Sequence, residues 1–269
     1  MSLPNWRDHE GHKKLLPLTV PGPEQSDVER FVSLACEHSG RSRGSFRVLD
    51  MGCGRGSLVA RLQSLGFDAW GADVAAEYVG AGLDYFSKID AGVNRLAVID
   101  SDGLPFEEPF DAIISTETLE HVADLGQFAA QLDQVSKPGT VGMHRWPAKY
   151  RVEESHMNLP VVHWLPKGSA RKTLIKAELG LGMGVDYFKD LPLADRTEIF
   201  NRYSNDETYY RTLREIRRTF STHGMDCDFL GIATARFREK FPWAPNVLAR
   251  SGAIVSANLR AGQMTTVHK

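Results

Sequence analysis

Between Asp27 and His38 the apolar side chains fall at Val28, Phe31, Val32, Leu34 and Ala35, the three-and-four spacing of an amphipathic helix, and the polar break SGRSRGS closes it. A short apolar run from Phe46 to Leu49 then reads as a buried strand entering a glycine-rich turn. From there helices and strands take turns. The pattern predicts a helix from Ser57 to Leu65, a strand from Ala69 to Val74, a helix from Ala76 to Phe86 and strands at Arg95 to Ile99 and Phe110 to Ser115. A helix from Glu117 to Val135 and a strand from Thr140 to His144 follow. Parallel neighbours need crossover connections, so the expected fold class is α/β: a doubly wound, mostly parallel seven-stranded sheet with helices on both faces.

After His144 the alternation stops across roughly 145–205, a stretch holding Trp146, Tyr150, Trp164, Tyr187 and Phe188. It resumes with a helix from Glu207 to His223, a strand from Cys227 to Ala233 and a final strand from Ala253 to Leu259. A long insertion beside the carboxyl ends of the strands is where ligand lids are found, and an oligomer interface is the competing use of so aromatic a segment. The expected organisation is an N-terminal arm over 1–25, punctuated by Pro4, Pro17, Pro21 and Pro23, a main domain over 26–144 and 206–269, and a substrate-covering lid over 145–205.

Composition narrows the class. The chain has 269 residues, 32 Lys plus Arg against 34 Asp plus Glu, a net charge of −2 and 42% hydrophobic residues, so a normal buried core is available and a dedicated nucleic-acid partner is not suggested. Charge is uneven: 20 basic and 13 acidic residues lie from His144 onward, against 12 and 21 before it. Three cysteines without a CxxC pair suggest neither disulfides nor a cysteine zinc site. No signal-like leader and no apolar run of membrane-spanning length is seen, so a cytoplasmic, soluble chain without a membrane partner is expected, with a homo-oligomer left open.

The segment Val48-Leu49-Asp50-Met51-Gly52-Cys53-Gly54-Arg55-Gly56-Ser57 follows a strand and opens a helix, the context in which a glycine loop binds a ligand. Its GxGxG spacing differs from the dinucleotide fingerprint. Asp50, at the strand end, suits a ligand with a positive amino group better than one with a pyrophosphate. Asp73 closes the second strand, where α/β nucleotide sites place the acid that accepts ribose hydroxyls. Asp100 closes the third, where its carboxylate suits an adenine amino group and the Ser101 amide suits the ring.

With these motifs in place, Asp50 to Gly56, Asp73, Asp100 to Phe106 and Leu119-Glu120-His121-Val122, the chain resembles the class I S-adenosylmethionine-dependent methyltransferases over about residues 45 to 145. The resemblance implies a Rossmann-like fold and S-adenosyl-L-methionine as cofactor. Gly52 and Gly54 would lie against its methionine part, Asp73 on the ribose, and Asp100 with Ser101 on the adenine; Asp50, Cys53, Val74 and Thr116 complete the expected cofactor set. Two further segments, Glu154 to Pro160 and His163 to Lys167, look like ones in bacterial methyltransferases of sugar and polysaccharide modification, which directs the expected acceptor toward a small hydroxylated, sugar-containing molecule.

Methyl transfer to a hydroxyl requires in-line alignment and removal of the acceptor's proton. His144, at the end of the fifth strand, and His121, after the fourth, are the expected bases. Glu117, Glu120 and His121, at i, i+3 and i+4 of the predicted helix, would share one face and can hold a divalent ion. That set resembles the Glu-x-x-Glu-His arrangement of quinone-biosynthesis O-methyltransferases and of small-RNA 2′-O-methyltransferases, with His144, His156 or His163 as an additional ligand. The expectation is nevertheless a metal-free route, because the insertion already offers several histidines. The alternatives are metal-dependent O-methylation of a phenol, quinol or RNA 2′-hydroxyl, and a non-catalytic cofactor-binding module.

Overall fold

The computed structural model describes residues 3–6, 23–88, 95–100 and 103–269. Ser101 and most of the predicted N-terminal arm lie outside these described residues. The chain enters through helix α1 (Pro23–Ser39), which opens on a proline and stops where Gly40, at φ +68°, turns into the left-handed region. Strand β1 (Arg47–Met51), helix α2 (Ser57–Ser64), strand β2 (Asp68–Asp73), helix α3 (Ala76–Lys88), and strands β3 (Leu96–Val98) and β4 (Ala112–Thr116) follow at the expected places. Next come helix α4 (Leu125–Gln134), strand β5 (Val141–Pro147), helices α5 (Ser169–Gly180), α6 (Leu193–Asp206) and α7 (Leu213–Thr222), and strand β6 (Met225–Asp228). Helices α8 (Gly231–Lys240) and α9 (Asn246–Leu259) and strand β7 (Ala261–His268) close the chain.

The seven strands lie in the order β3-β2-β1-β4-β5-β7-β6. The first five pair in parallel, and β7 runs antiparallel to both β5 and β6. Strand order reverses between β1 and β4, which opens a crevice at their carboxyl ends. One core lies on each face of the sheet, the first around Phe110, Leu132 and Phe220, the second around Phe46, Val59 and Phe86. Each of these large side chains, buried from water, stabilises the fold by about 1.5–3 kcal/mol before entropy is counted.

Four sequence expectations change. The helix predicted from Glu117 to Val135 is broken: Glu117 sits at φ +53°, Leu119–His121 form one 3-10 turn, and α4 starts only after Asp124, whose side chain caps the Gly126 and Gln127 amides. The helix expected from Glu207 begins at Leu213, where Thr212 and Glu215 form a reciprocal capping box. The predicted strand from Cys227 to Ala233 splits into β6 and the start of α8. The apolar run Ala253 to Leu259 is the interior of α9 rather than a strand, and β7 is the more polar segment after it. A short apolar run fits a strand and a helix equally well, and there the longer fourfold spacing of alanines decides.

Residues beyond Pro147 build a third cluster of their own. Met157, Leu159, Val162, Ile175, Leu179, Ile199 and Phe200 are buried together, with Trp6 from the N-terminal segment inserted among them. The Trp6 ring stacks on Tyr203 at 4.3 Å between centroids, and Arg202 donates to the Pro4 carbonyl, so residues 3–6 are tied to this cluster.

Candidate active site

The loops after β1, β2, β3 and β4 wall a cavity of about 600 Å³ at the carboxyl rim. Gly52 and Gly54, at φ +86° and +54°, shape the first loop, and a Cβ at Gly52 would stand 2.4 Å from the Thr118 hydroxyl. Only glycine lets the two loops meet there. Asp73 Oδ2 accepts the Gly54 amide at 2.8 Å and its Oδ1 accepts the Ala75 amide at 2.8 Å, so this acid also fixes the glycine loop and the start of α3. Val74, Ile99 and Asp100 continue the same wall. A bare loop that only glycine can form, an acid at each of two strand ends and an apolar floor match the donor, acceptor and shape requirements of a nucleoside with an amino-acid tail.

Three expected cofactor contacts stand behind this wall. Cys53 packs its side chain against Gly71, where an added Cβ would lie 2.7 Å from the sulfur, and burial pushes its thiol well up. Thr116 contributes its carbonyl to the Thr118 hydroxyl, and Thr118 takes the place on the wall. Asp50 is buried beneath the glycine loop, where desolvation and then the neighbouring Asp73 push its carboxyl up to about 7. A cationic group brought beside it would restore the ordinary, ionised acid.

His144 is corrected as a catalytic base. It is 1% exposed, its Nδ1 shares a hydrogen with Ser115 Oγ at 2.8 Å, its Nε2 lies 3.4 Å from Thr266 Oγ1, and it does not reach the cavity. Burial pushes its pKa down to about 3. The sequence placed it at a strand end, but β5 runs on to Pro147 and leaves it inside the sheet.

His121 does line the cavity, and the insertion brings His156 to it, with ring centroids 4.9 Å apart. The His121 Nδ1 lies 2.7 Å from the Glu207 carbonyl, which only accepts, so Nδ1 carries the hydrogen and Nε2 is the lone-pair nitrogen of the neutral ring. His156 Nδ1 lies 2.9 Å from Glu154 Oε1, which orients its Nε2 the same way, 4.0 Å from Glu120 Oε1. Glu154 is itself over-determined: Oε2 accepts the His156 and Met157 amides at 2.9 and 2.6 Å, and the Tyr210 hydroxyl donates to Oε1. Burial works against its charge, yet the His156 and Tyr210 contacts and the Met157 amide hold its carboxyl below the usual range.

Glu120 stands between these imidazoles. It is 1% exposed, and the polar side chain packed closest to its carboxyl is the carboxyl of Glu117. Burial, and after it the carboxylate of Glu117, raises its pKa well above that of an ordinary glutamate. One ligand atom from each of Glu120, His121 and His156 falls within 4.8 Å of the others. Arg211 holds the turn that carries the first two by donating to the Leu119, Val122 and Ala123 carbonyls. A buried carboxyl facing two imidazoles whose outer nitrogens are pinned by oxygen acceptors is a set of groups that could hold a divalent cation. Glu117, the third member of the expected set, lines the cavity beside them. His163 lies apart from this corner, and burial pushes its pKa down to about 4.

Sequence reasoning missed Trp6, Thr118, Phe128, Tyr203 and Glu207 on the cavity wall. Their only sequence signal was apolar, hydroxyl or acidic character, which the contacts across the chain convert into a site.

The motifs and the geometry define a methyltransferase, and known proteins agree. Residues 19–177 match the family model described as a methyltransferase domain, which is more than half of the chain, and the chain belongs to that family. It is an S-adenosylmethionine-dependent methyltransferase, which sets aside the non-catalytic alternative. Among relatives, a ubiquinone biosynthesis O-methyltransferase of Rhizobium etli is 28% identical over 186 residues, covering 64% of this chain and 73% of its own. One from Sinorhizobium medicae is 29% identical over 214 residues, covering 74% and 83%. Of solved structures, PKMT2 from Rickettsia typhi in complex with AdoHcy superposes with a TM-score of 0.54 at 12% identity over 84% of this chain, which spans about half (49%) of that longer protein. The geranyl diphosphate C-methyltransferase from Streptomyces coelicolor gives 0.51 at 13% identity, covering 90% and 79%. At these identities the structures speak to the fold alone.

Proposed function

We propose that the chain O-methylates a small acceptor bearing two neighbouring oxygens, with Glu120, His121 and His156 holding a divalent cation beside the methyl-transfer point. The meeting of three ligand atoms carries this reading: one each from Glu120, His121 and His156 lies within 4.8 Å of the others, and a cation there would restore the ionised form of a carboxyl that burial and Glu117 otherwise hold protonated. S-adenosylmethionine supplies an activated methyl whose sulfur leaves as a neutral thioether. A bound cation would supply charge that lowers the acceptor hydroxyl's pKa and orients its oxygens.

The chain's own residues do the rest. Gly52, Gly54, Asp73, Val74 and Asp100 seat the cofactor, with Asp50 favouring its amino group from beneath. Glu154 and the Glu207 carbonyl hold the two imidazoles in one tautomer. Trp6, Phe128, Val122 and Tyr203 close the wall with apolar surface and exclude water. In this reading His121 is a ligand rather than the base, and the acceptor hydroxyl, its pKa lowered, would give its proton to solvent before the methyl–sulfur bond breaks.

The apolar, aromatic wall and the relatives named for ubiquinone biosynthesis favour a phenolic acceptor with adjacent oxygens over a sugar. The segment that resembled sugar-modifying enzymes has structural work instead, since it supplies Glu154 and His156. An RNA 2′-hydroxyl is disfavoured by the acidic first half. The test incubates the protein and labelled cofactor with catechols, sugars, nucleotide sugars and RNA, with chelator and with magnesium or manganese. Catechol methylation lost to chelator and regained with the ion is expected; turnover of sugars alone overturns the acceptor, and indifference to chelator overturns the cation.

A further inference from the structure

Helix α9 is amphipathic in reverse. Its buried side, Ala249, Ala253 and Ala257, consists of small residues at every fourth position, while Val247, Leu248, Ile254, Val255 and Leu259 are 74, 52, 46, 56 and 45% exposed. Globular helices normally put the large apolar residues inward, and a contiguous stripe of them in water marks a contact surface in a way that scattered ones do not. The stripe is held outward by packing: Gly252 lets the ring of Phe237 on α8 approach so closely that a Cβ would stand 2.8 Å from it. The loop joining the two helices adds Trp243, 76% exposed.

Charge identifies what covers this face. Residues 231–260 contain five basic side chains against one acid, Glu239; Glu239 is paired with Arg30 at 3.0 Å and Arg236 with Asp27, which leaves Arg238, Lys240, Arg250 and Arg260 as the hairpin's available cations. Two copies meeting through the stripe would bring like cations together, which disfavours a second chain. We infer that the α8–α9 hairpin rests on an anionic lipid surface, its aliphatic stripe and Trp243 at the boundary of headgroups and acyl chains and its Lys and Arg side chains on the lipid phosphates.

The orientation fits the chemistry at the cavity. Strands β5 and β6 both run antiparallel to β7 and therefore parallel to each other, so the hairpin that follows β6 leaves the sheet at the same carboxyl rim as the cofactor loops. A bilayer under α9 would therefore lie at the end of the molecule where the cavity is walled. Among the described residues no helix is long and apolar enough to cross a membrane, so the contact is one of surface and not of span. The inference is independent of the acceptor's identity, because lipid binding is read without turnover.

The test is co-sedimentation of the full chain with vesicles of phosphatidylcholine alone and of phosphatidylcholine mixed with phosphatidylglycerol, at low and high salt. Binding to the mixed vesicles, weakened by salt, is expected. Substituting the exposed Ile254→Glu and Val255→Glu together should abolish it while leaving affinity for AdoHcy unchanged, and Arg250→Gln should weaken it about fivefold. Failure to bind either vesicle overturns the inference. So does sedimentation equilibrium that finds a dimer which Ile254→Glu separates, because the stripe would then be covered by a second copy.

Discussion

The glycine loop and the Glu120 corner are neighbours in one cavity, yet they are assembled over different distances in the chain. Asp73 reaches Gly54 across nineteen residues, within a single strand–helix–strand unit whose geometry the parallel sheet imposes. Tyr210 reaches Glu154 across fifty-six residues and Glu207 reaches His121 across eighty-six, and both contacts depend on the insertion packing back against the sheet. The difference teaches what each part can vary. The cofactor side is fixed by the fold; the acceptor side depends on how residues after Pro147 are held, and substitutions there should alter turnover while leaving cofactor binding alone.

The largest expected effect follows from that separation. Glu120→Ala removes the central carboxylate, so turnover should fall by more than about a hundredfold while calorimetry with AdoHcy shows unchanged affinity. A parallel loss of both would show that the two sides are one unit and break the comparison. On the other side, Asp73→Ala removes an acceptor for the cofactor and for the Gly54 amide; affinity should weaken by about 1.5–3 kcal/mol, with turnover largely recovered at saturating cofactor. Calorimetry and a cofactor titration of the rate measure both parts.

The same contrast explains what was legible in the sequence. Gly52, Asp73 and Asp100 each close or follow a strand and Asp50 stands one residue inside the end of β1, so periodicity located the strands and the rim positions followed. The rim rule then failed at His144, because β5 extends three residues beyond the predicted end and keeps this histidine inside the sheet. Glu117, Glu120 and His121 were grouped by helical spacing, but the chain forms a left-handed residue and a 3-10 turn there, and what gathers Glu120, His121 and His156 is the Arg211 clamp and the packing of the segment after Pro147. Neither has a local signal. The last strand was misplaced for a different reason: α9 carries its large aliphatic residues on the outside, so its pattern reads like a buried strand.

Smaller effects sharpen the comparison. Glu154→Gln keeps the shape but weakens the acceptor that orients His156, and the affinity for a divalent ion should drop by about tenfold, with AdoHcy binding intact. Smallest in activity is His144→Asn, which should leave turnover near that of the parent because the side chain does not reach the cavity. Its effect is on stability. The folded-state pKa of about 3 lies below the value near 6.5 of an unfolded chain, so neutral His144 contributes stability above that value which is lost as pH falls toward 3. Denaturant melts should therefore show a shallower decline in that window for the asparagine variant; an unchanged slope, or a collapse of turnover, would return His144 to the catalytic side.

The proposed cation corner is tested most directly by titrating manganese into the AdoHcy-bound protein and following free ion by electron paramagnetic resonance, alongside Glu120→Ala and His156→Ala. The expected result is a single ion per chain in the parent protein and none at the same concentration in either variant, with AdoHcy still bound in all three. No ion in the parent, or the same ion retained by both variants, would contradict the assignment of Glu120, His121 and His156 as its ligands.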